Sequence, residues 1–279
     1  MTAGPQTATA PARPSKTTVA VSPVGQGRVL VSEWIKLRSL RSTGFTLLAA
    51  VVAMIGIGWI VGAATNSHWS SMDPGELAHF EPIGRSLAGV NLAQLAIGVL
   101  GVLLISGEYA TGMIRSTFAA VPGRLPVIWA KAALFAVITF VLMLVSAFVA
   151  FLGGQHFLGS HGTTLSASHA VRLIVAVAVY LTLIGVFAVA LGFIVRSTAG
   201  GIAALFGLLL VLPGVGQVLP ASWQRHTLPY LPSNAGSSMF TITPENPSAL
   251  SPGVGLLVLC IWVALALAAA AVLVRRRDA

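Results

Sequence analysis

Six stretches of this chain consist almost wholly of apolar residues, and each is long enough to cross a bilayer; no other feature restricts the fold so strongly. About 30 Å of hydrocarbon takes roughly 20 apolar residues in a helix. Inside hydrocarbon the backbone must satisfy its own hydrogen bonds, which a helix does and an open strand does not. The stretches fall at about 44–64, 86–106, 127–152, 171–195, 198–219 and 254–274. Only 8% of residues are charged and 56% are hydrophobic, whereas a soluble domain carries about a quarter charged residues. The expectation is an all-α, polytopic membrane protein with six transmembrane helices. Arg196-Ser197 alone separates the fourth and fifth spans, which must then form a tight hairpin.

The net charge of +9 does not point to nucleic acid, because the basic residues flank apolar spans instead of sharing one polar face. They read as topology signals and contacts to anionic membrane lipids. Counted on alternating sides, the first 43 residues, the loop between the second and third spans, Arg196 and Arg275-Arg276-Arg277 hold thirteen of the sixteen Lys and Arg; Arg85, Arg172 and Arg225 remain. Positive residues favour the cytoplasm, so both termini are expected there. Residues 1–28, rich in Pro, Ala, Thr and Ser, read as a disordered cytoplasmic tail, and residues 29–279 as the membrane domain.

Residues 29–43 form a basic amphipathic pattern. Leu30, Trp34, Leu37 and Leu40 recur at helical spacing, while Glu33, Lys36 and Arg41 populate the other side. A helix with Trp34 and Leu37 on one face and Lys36, Arg38 and Arg41 available to head groups suits the membrane interface. The alternative is a simple extension of the first span, and the three basic residues argue against burying it.

Between the second and third spans, Gly107 to Lys131 is a polar, basic island. Written as one helix, Glu108, Thr111, Gly112 and Arg115 share a face, with Tyr109, Met113, Phe118 and Val121 mostly opposite. Pro122-Gly123 then breaks the helix. Two readings stay open: a plain loop whose charges obey topology, or a short helix that a soluble partner can push on.

No Asp, Glu, Lys, Arg or His stands in the middle of any span, whereas ion-coupled carriers usually need such a group at membrane depth. Asn91 and Gln94, three apart on the second span, are the strongest intramembrane polar pair and read as bonds between helices more than as a substrate path. Gly58 and Gly62 offer a small-residue face for close helix contact. All six histidines, His68, His79, His156, His161, His169 and His226, fall in the loops of the side opposite the termini, at spacings that match no compact metal set. Cys260 lies in an apolar run and reads as a small core residue. Residues 220–252, rich in proline and carrying Trp223, Tyr230, Met239 and Phe240, read either as a segment folding back on the outer membrane surface or as a plain loop. The tripeptide Arg-Ser-Thr begins at Arg41, Arg115 and Arg196, each time at an expected cytoplasmic boundary. No catalytic motif, metal site or cofactor site is expected, so the chain does not read as an enzyme.

Two of these stretches carry a resemblance. Glu33-Trp34-Ile35-Lys36-Leu37-Arg38-Ser39-Leu40-Arg41-Ser42-Thr43 and Ser106-Gly107-Glu108-Tyr109-Ala110-Thr111-Gly112-Met113-Ile114-Arg115-Ser116-Thr117-Phe118, the latter with Val121-Pro122 and Arg124 after it, resemble permease subunits of type 2 ABC transporters, especially those of actinobacteria. The resemblance covers the six-span layout from about residue 29 to the end. It implies that residues 29–43 are the elbow helix and that Glu108 to Phe118 is the coupling helix. The coupling helix would dock on a separate ATPase subunit that handles the ATP. It also implies a permease dimer in a bacterial plasma membrane, exporting a hydrophobic or amphipathic compound. A non-transporting scaffold or sensor subunit, and a secondary carrier, remain the alternatives.

Overall fold

A computed structural model describes residues 25–39, 41–242 and 248–277 of the chain. Nearly all of the expected tail, and Pro244 in the long loop, lie outside them. The described residues form helices α1 (Gln26–Ser39), α2 (Arg41–Ser67), α3 (Pro74–Ala78), α4 (Pro82–Ser86), α5 (Val90–Ala110), α6 (Met113–Ala120), α7 (Leu125–Leu158), α8 (Ala170–Val195), α9 (Thr198–Phe206), α10 (Leu212–Gly216), α11 (Ala221–His226), α12 (Pro232–Ser237) and α13 (Pro252–Arg276). Six helical stretches are long and apolar enough to cross a membrane: Ser42–Ser67, Val90–Ala110, Leu125–His161, Ala170–Val195, Thr198–Gly216 and Pro252–Arg276. The second begins four residues later than expected. Pro82 opens the short α4 first, and the chain turns through Gly89 before α5 starts.

Helix α8 is the centre of the bundle, packed by α5, α7, α9 and α13 and buried on most sides. Helix α2 lies outside, against α5 and α7, and exposes Phe45, Leu48, Val52 and Ile60. The expected glycines let it close onto α4 and α7. Gly58 faces the Ser86 carbonyl, and a Cβ at Gly62 would stand 2.8 Å from the Gly154 carbonyl oxygen, so only a hydrogen lets these backbones approach. The expected hairpin is present. Arg196 takes a left-handed conformation (φ 57°) that ends α8, and the Ser197 hydroxyl accepts from the Gly200 N–H to begin α9. Further along the fifth span, residues Gly207–Val211 are wound as a π-helix just ahead of Pro213. Proline there has no N–H to give, and in a membrane helix a local π adjustment can re-satisfy the backbone groups it frees.

Two expectations need correction. Cys260 is exposed on α13, because the face of that helix that meets α8 is formed by Gly255, Leu259, Val263 and Ala266. The segment after the fifth span does not simply lie on the surface. Leu228, Pro229, Pro232, Ala235 and Met239 are buried, and α12 packs against both α8 and α13. The Trp262 indole N–H donates to the Tyr230 carbonyl at 2.9 Å, and Phe240 meets the Tyr180 ring at 5.3 Å between centroids. The small residues Ala235 and Gly236 allow the insertion.

Candidate functional site

The polar end of the bundle is built around a break in the chain at Gly112. Residues 108–118 are not one helix: Gly112 sits at φ 73°, a region that side-chain-bearing residues enter at a cost of roughly 1–2 kcal/mol. Glu108 therefore belongs to the last turn of α5, and Arg115 to α6. The Thr111 hydroxyl donates back to the Gly107 carbonyl at 2.9 Å and closes α5. Helix α6 buries Ile114 and Phe118, one turn apart, and exposes Met113, Arg115, Ser116, Ala119 and Ala120. Of the expected docking residues, Thr111, Gly112 and Arg115 thus face outward, Glu108 and Phe118 face inward, and Arg124 is half-buried.

Behind α6 lies a buried network of four charges. Lys131, 1% exposed, donates to Glu33 Oε2 at 2.5 Å and to Glu108 Oε1 at 2.7 Å. Lys36 donates to Glu33 Oε1 at 2.8 Å, to Glu108 Oε1 at 3.4 Å and to the Thr117 hydroxyl at 3.1 Å. Two ammoniums meet two carboxylates, so the group is neutral as a whole, which is what allows it to be buried. Burial pulls the Lys36 pKa down, but the Glu33 hydrogen bond and the charges of Glu108 and Glu33 outweigh it and leave it above the usual ammonium range. Glu108 Oε2 is buried with no hydrogen-bond partner among the described residues. The network joins α1, the end of α5, α6 and the foot of α7.

This placement departs from the expected division of α1, because Leu37 shares a buried face with Glu33 and is parted from Leu30 and Trp34. Val29, Glu33 and Leu37, one turn apart, form its buried stripe against α7, while Leu30, Val31, Trp34 and Ile35 face outward. The ion pair to Lys131 decides the rotation, since a lone carboxylate in that position would carry a large desolvation cost. Lys36 is half-buried inside the network and Arg38 is exposed; Arg41 begins α2.

Two arginines tie the C-terminal end of α13 to the same region. Arg124 Nη1 donates to the Val274 and Arg277 carbonyls at 3.0 and 3.2 Å, with its guanidinium 5.6 Å from the Phe118 ring centre. Arg196 lies 5.1 Å from the Tyr109 ring and donates to the Leu273 carbonyl at 3.5 Å. Helix C-termini leave carbonyls without intrahelical partners, and cations satisfy them well.

Asn91 and Gln94 part company. Gln94 is buried and its Oε1 accepts a hydrogen bond from the Tyr180 hydroxyl, joining α5 to α8 as expected for a helix-bonding group. Asn91 is exposed at the far end of α5, on a cleft. The sequence reading missed the pairing of Glu33 with Lys131. The one signal was their position: a carboxylate four residues from both Val29 and Leu37, and a lysine beyond the first turn of an apolar span. Among the described residues no three His, Cys, Asp or Glu side chains lie close enough to share a metal ion.

Residues 29–216 match the family described as ABC-2 family transporter protein, a stretch covering more than half of the chain. The match speaks to the family and not to a lineage within it. No curated protein matches the chain.

Proposed function

The chain belongs to the ABC-2 transporter family, and from that premise we propose that α6 is the surface on which the separate ATPase subunit docks. The chain is the membrane permease component, itself a multi-pass cell-membrane protein, and ATP is bound by a separate ATPase subunit. The observation that carries the docking reading is the two-sidedness of α6. Arg115, Met113, Ser116 and Ala119 face outward, while Ile114, Phe118 and the Thr117–Lys36 bond fix the helix from behind. A push on α6 then reaches Lys36, and through Glu33 and Glu108 it reaches Lys131 at the foot of α7. Closure of the ATPase pair would tilt the spans between inward- and outward-facing arrangements about the interface of two permease copies. The excess of Lys and Arg on the α6 side supports placing that side, and both termini, in the cytoplasm. The outward Leu30, Trp34 and Ile35 support an α1 lying along the membrane interface. Export of a hydrophobic or amphipathic compound is the transport we propose, on the resemblance of residues 33–43 and 106–118 to type 2 ABC permeases.

Arg115→Glu tests the docking face. The Arg fork makes directed bonds to acidic groups that a carboxylate would repel. At matched membrane levels, the variant is expected to co-purify with a tagged ATPase subunit several-fold less than wild type and to lower transport-stimulated ATP hydrolysis. Full co-purification and full transport would show that docking lies elsewhere.

A further inference from the structure

At the end of the bundle opposite α6, a cleft of about 830 Å³ opens between the first turns of α5 and α8, the end of the fifth span and the α12 region. That size lies within the range of small-molecule sites. Its lining is mixed: Leu228, Pro229, Phe240 and Ile242 supply apolar surface, while Asn91, His169, Arg172 and Gln217 supply groups able to donate hydrogen bonds. This lining is stiffened from within: the Asn234 amide donates to the Leu228 carbonyl at 2.9 Å, and the Ser237 and Thr241 hydroxyls donate to the Asn234 and Ser237 carbonyls. Among the described lining residues none is a carboxylate, and Arg172 carries a fixed positive charge.

We propose that this cleft binds an amphipathic molecule with an anionic, phosphate-type head group, with Arg172 as its counter-ion and the apolar lining residues holding its hydrocarbon. Donors and hydrocarbon in one cleft match a head and a chain in a single ligand. The Arg172 guanidinium, with the donors of Asn91, His169 and Gln217 also in the lining, favours an anion over a cation. The same chemistry belongs to a bilayer phospholipid and to an amphiphile in transit. Only the second source rests on the transport function proposed above.

The test uses native mass spectrometry of the delipidated full-length chain, extracted with any bound ATPase in place. The probes are dioctanoyl phosphatidic acid and the head-less dioctanoylglycerol. Wild type is expected to retain the first and release the second. Arg172→Gln should retain about tenfold less phosphatidic acid, the loss of one charge-assisted contact. Arg172→Lys, which keeps the charge, should restore most of it and show that the variants fold. Equal retention by wild type and Arg172→Gln, or equal retention of both probes, would overturn the site. Adding a non-hydrolysable ATP analogue separates the sources: changed retention identifies cargo, unchanged retention a resident lipid, and either outcome upholds the site. The nucleotide-free arm does not need ATPase docking, so failure of the Arg115 experiment and failure of this one are distinguishable.

Discussion

Lys131 is buried at the foot of an apolar span, and it is tolerated there because two carboxylates reach it. Removing it would leave Glu33 and Glu108 facing each other with only the half-buried Lys36 as a counter-charge. Breaking a buried pair from one side costs on the order of 3–5 kcal/mol. Lys131→Met should therefore lower the thermal stability of the extracted protein by about that much, while Lys131→Met with Glu33→Leu should lose clearly less than the sum of the two single changes. Melting curves of the four proteins check this; strict additivity would mean that the pair is not coupled. The raised Lys36 pKa fixes a sign as well. Its contribution is fully present below the unfolded lysine value of about 10.4 and is lost only as pH rises through the higher folded value, so melting between pH 6 and 9 should show no Lys36-dependent change. At this scale the sequence was least legible. Glu33 and Lys131 lie far apart in the chain, and helical periodicity placed Glu33 on the solvent side, because periodicity reports which residues share a face and not which partner the face will meet.

The elements were more legible. Hydrocarbon thickness sets a minimum length for any span, so all six were readable from apolar runs, and the Arg196-Ser197 hairpin followed from there being no room for a longer connection. What could not be read was the division of residues 108–118 between α5 and α6, since glycine is compatible with a continuing helix as well as with a left-handed break. Gly107 and Gly112 test that division with opposite signs. Neither has anything within 4 Å of an added Cβ, so only the backbone answers. Gly107→Ala lies in regular helix and should be neutral or stabilising by up to about 1 kcal/mol. Gly112→Ala must take a positive φ, should cost roughly 1 kcal/mol or more, and should reduce ATPase co-purification by misaligning α6. If the two variants behave alike, the break at Gly112 does not set the helix direction.

On the scale of the whole molecule, the asymmetry of Lys and Arg predicts which end of the bundle meets the cytoplasm. Cys260 is exposed on α13, so it must first be replaced, by Cys260→Ser. In that background a cysteine at His161 should react with an impermeant thiol reagent in intact cells, and one at Ala119 only after the membrane is opened. Labelling of Ala119 from outside would invert the orientation and remove the docking reading with it. The connection of two residues between the fourth and fifth spans has a further mechanical result. Joined so tightly at one tip, α8 and the fifth span are the arms of a pair of tongs: they cannot part at Arg196, and any opening must grow along their length. Arg172 lies near the free end of the central arm and Gln217 at the free end of the other. The outer arm, Thr198–Gly216, is 19 residues long, or about 28 Å. By that leverage, each degree of swing about the Arg196 tip changes the width of the mouth between Arg172 and Gln217 by about 0.5 Å.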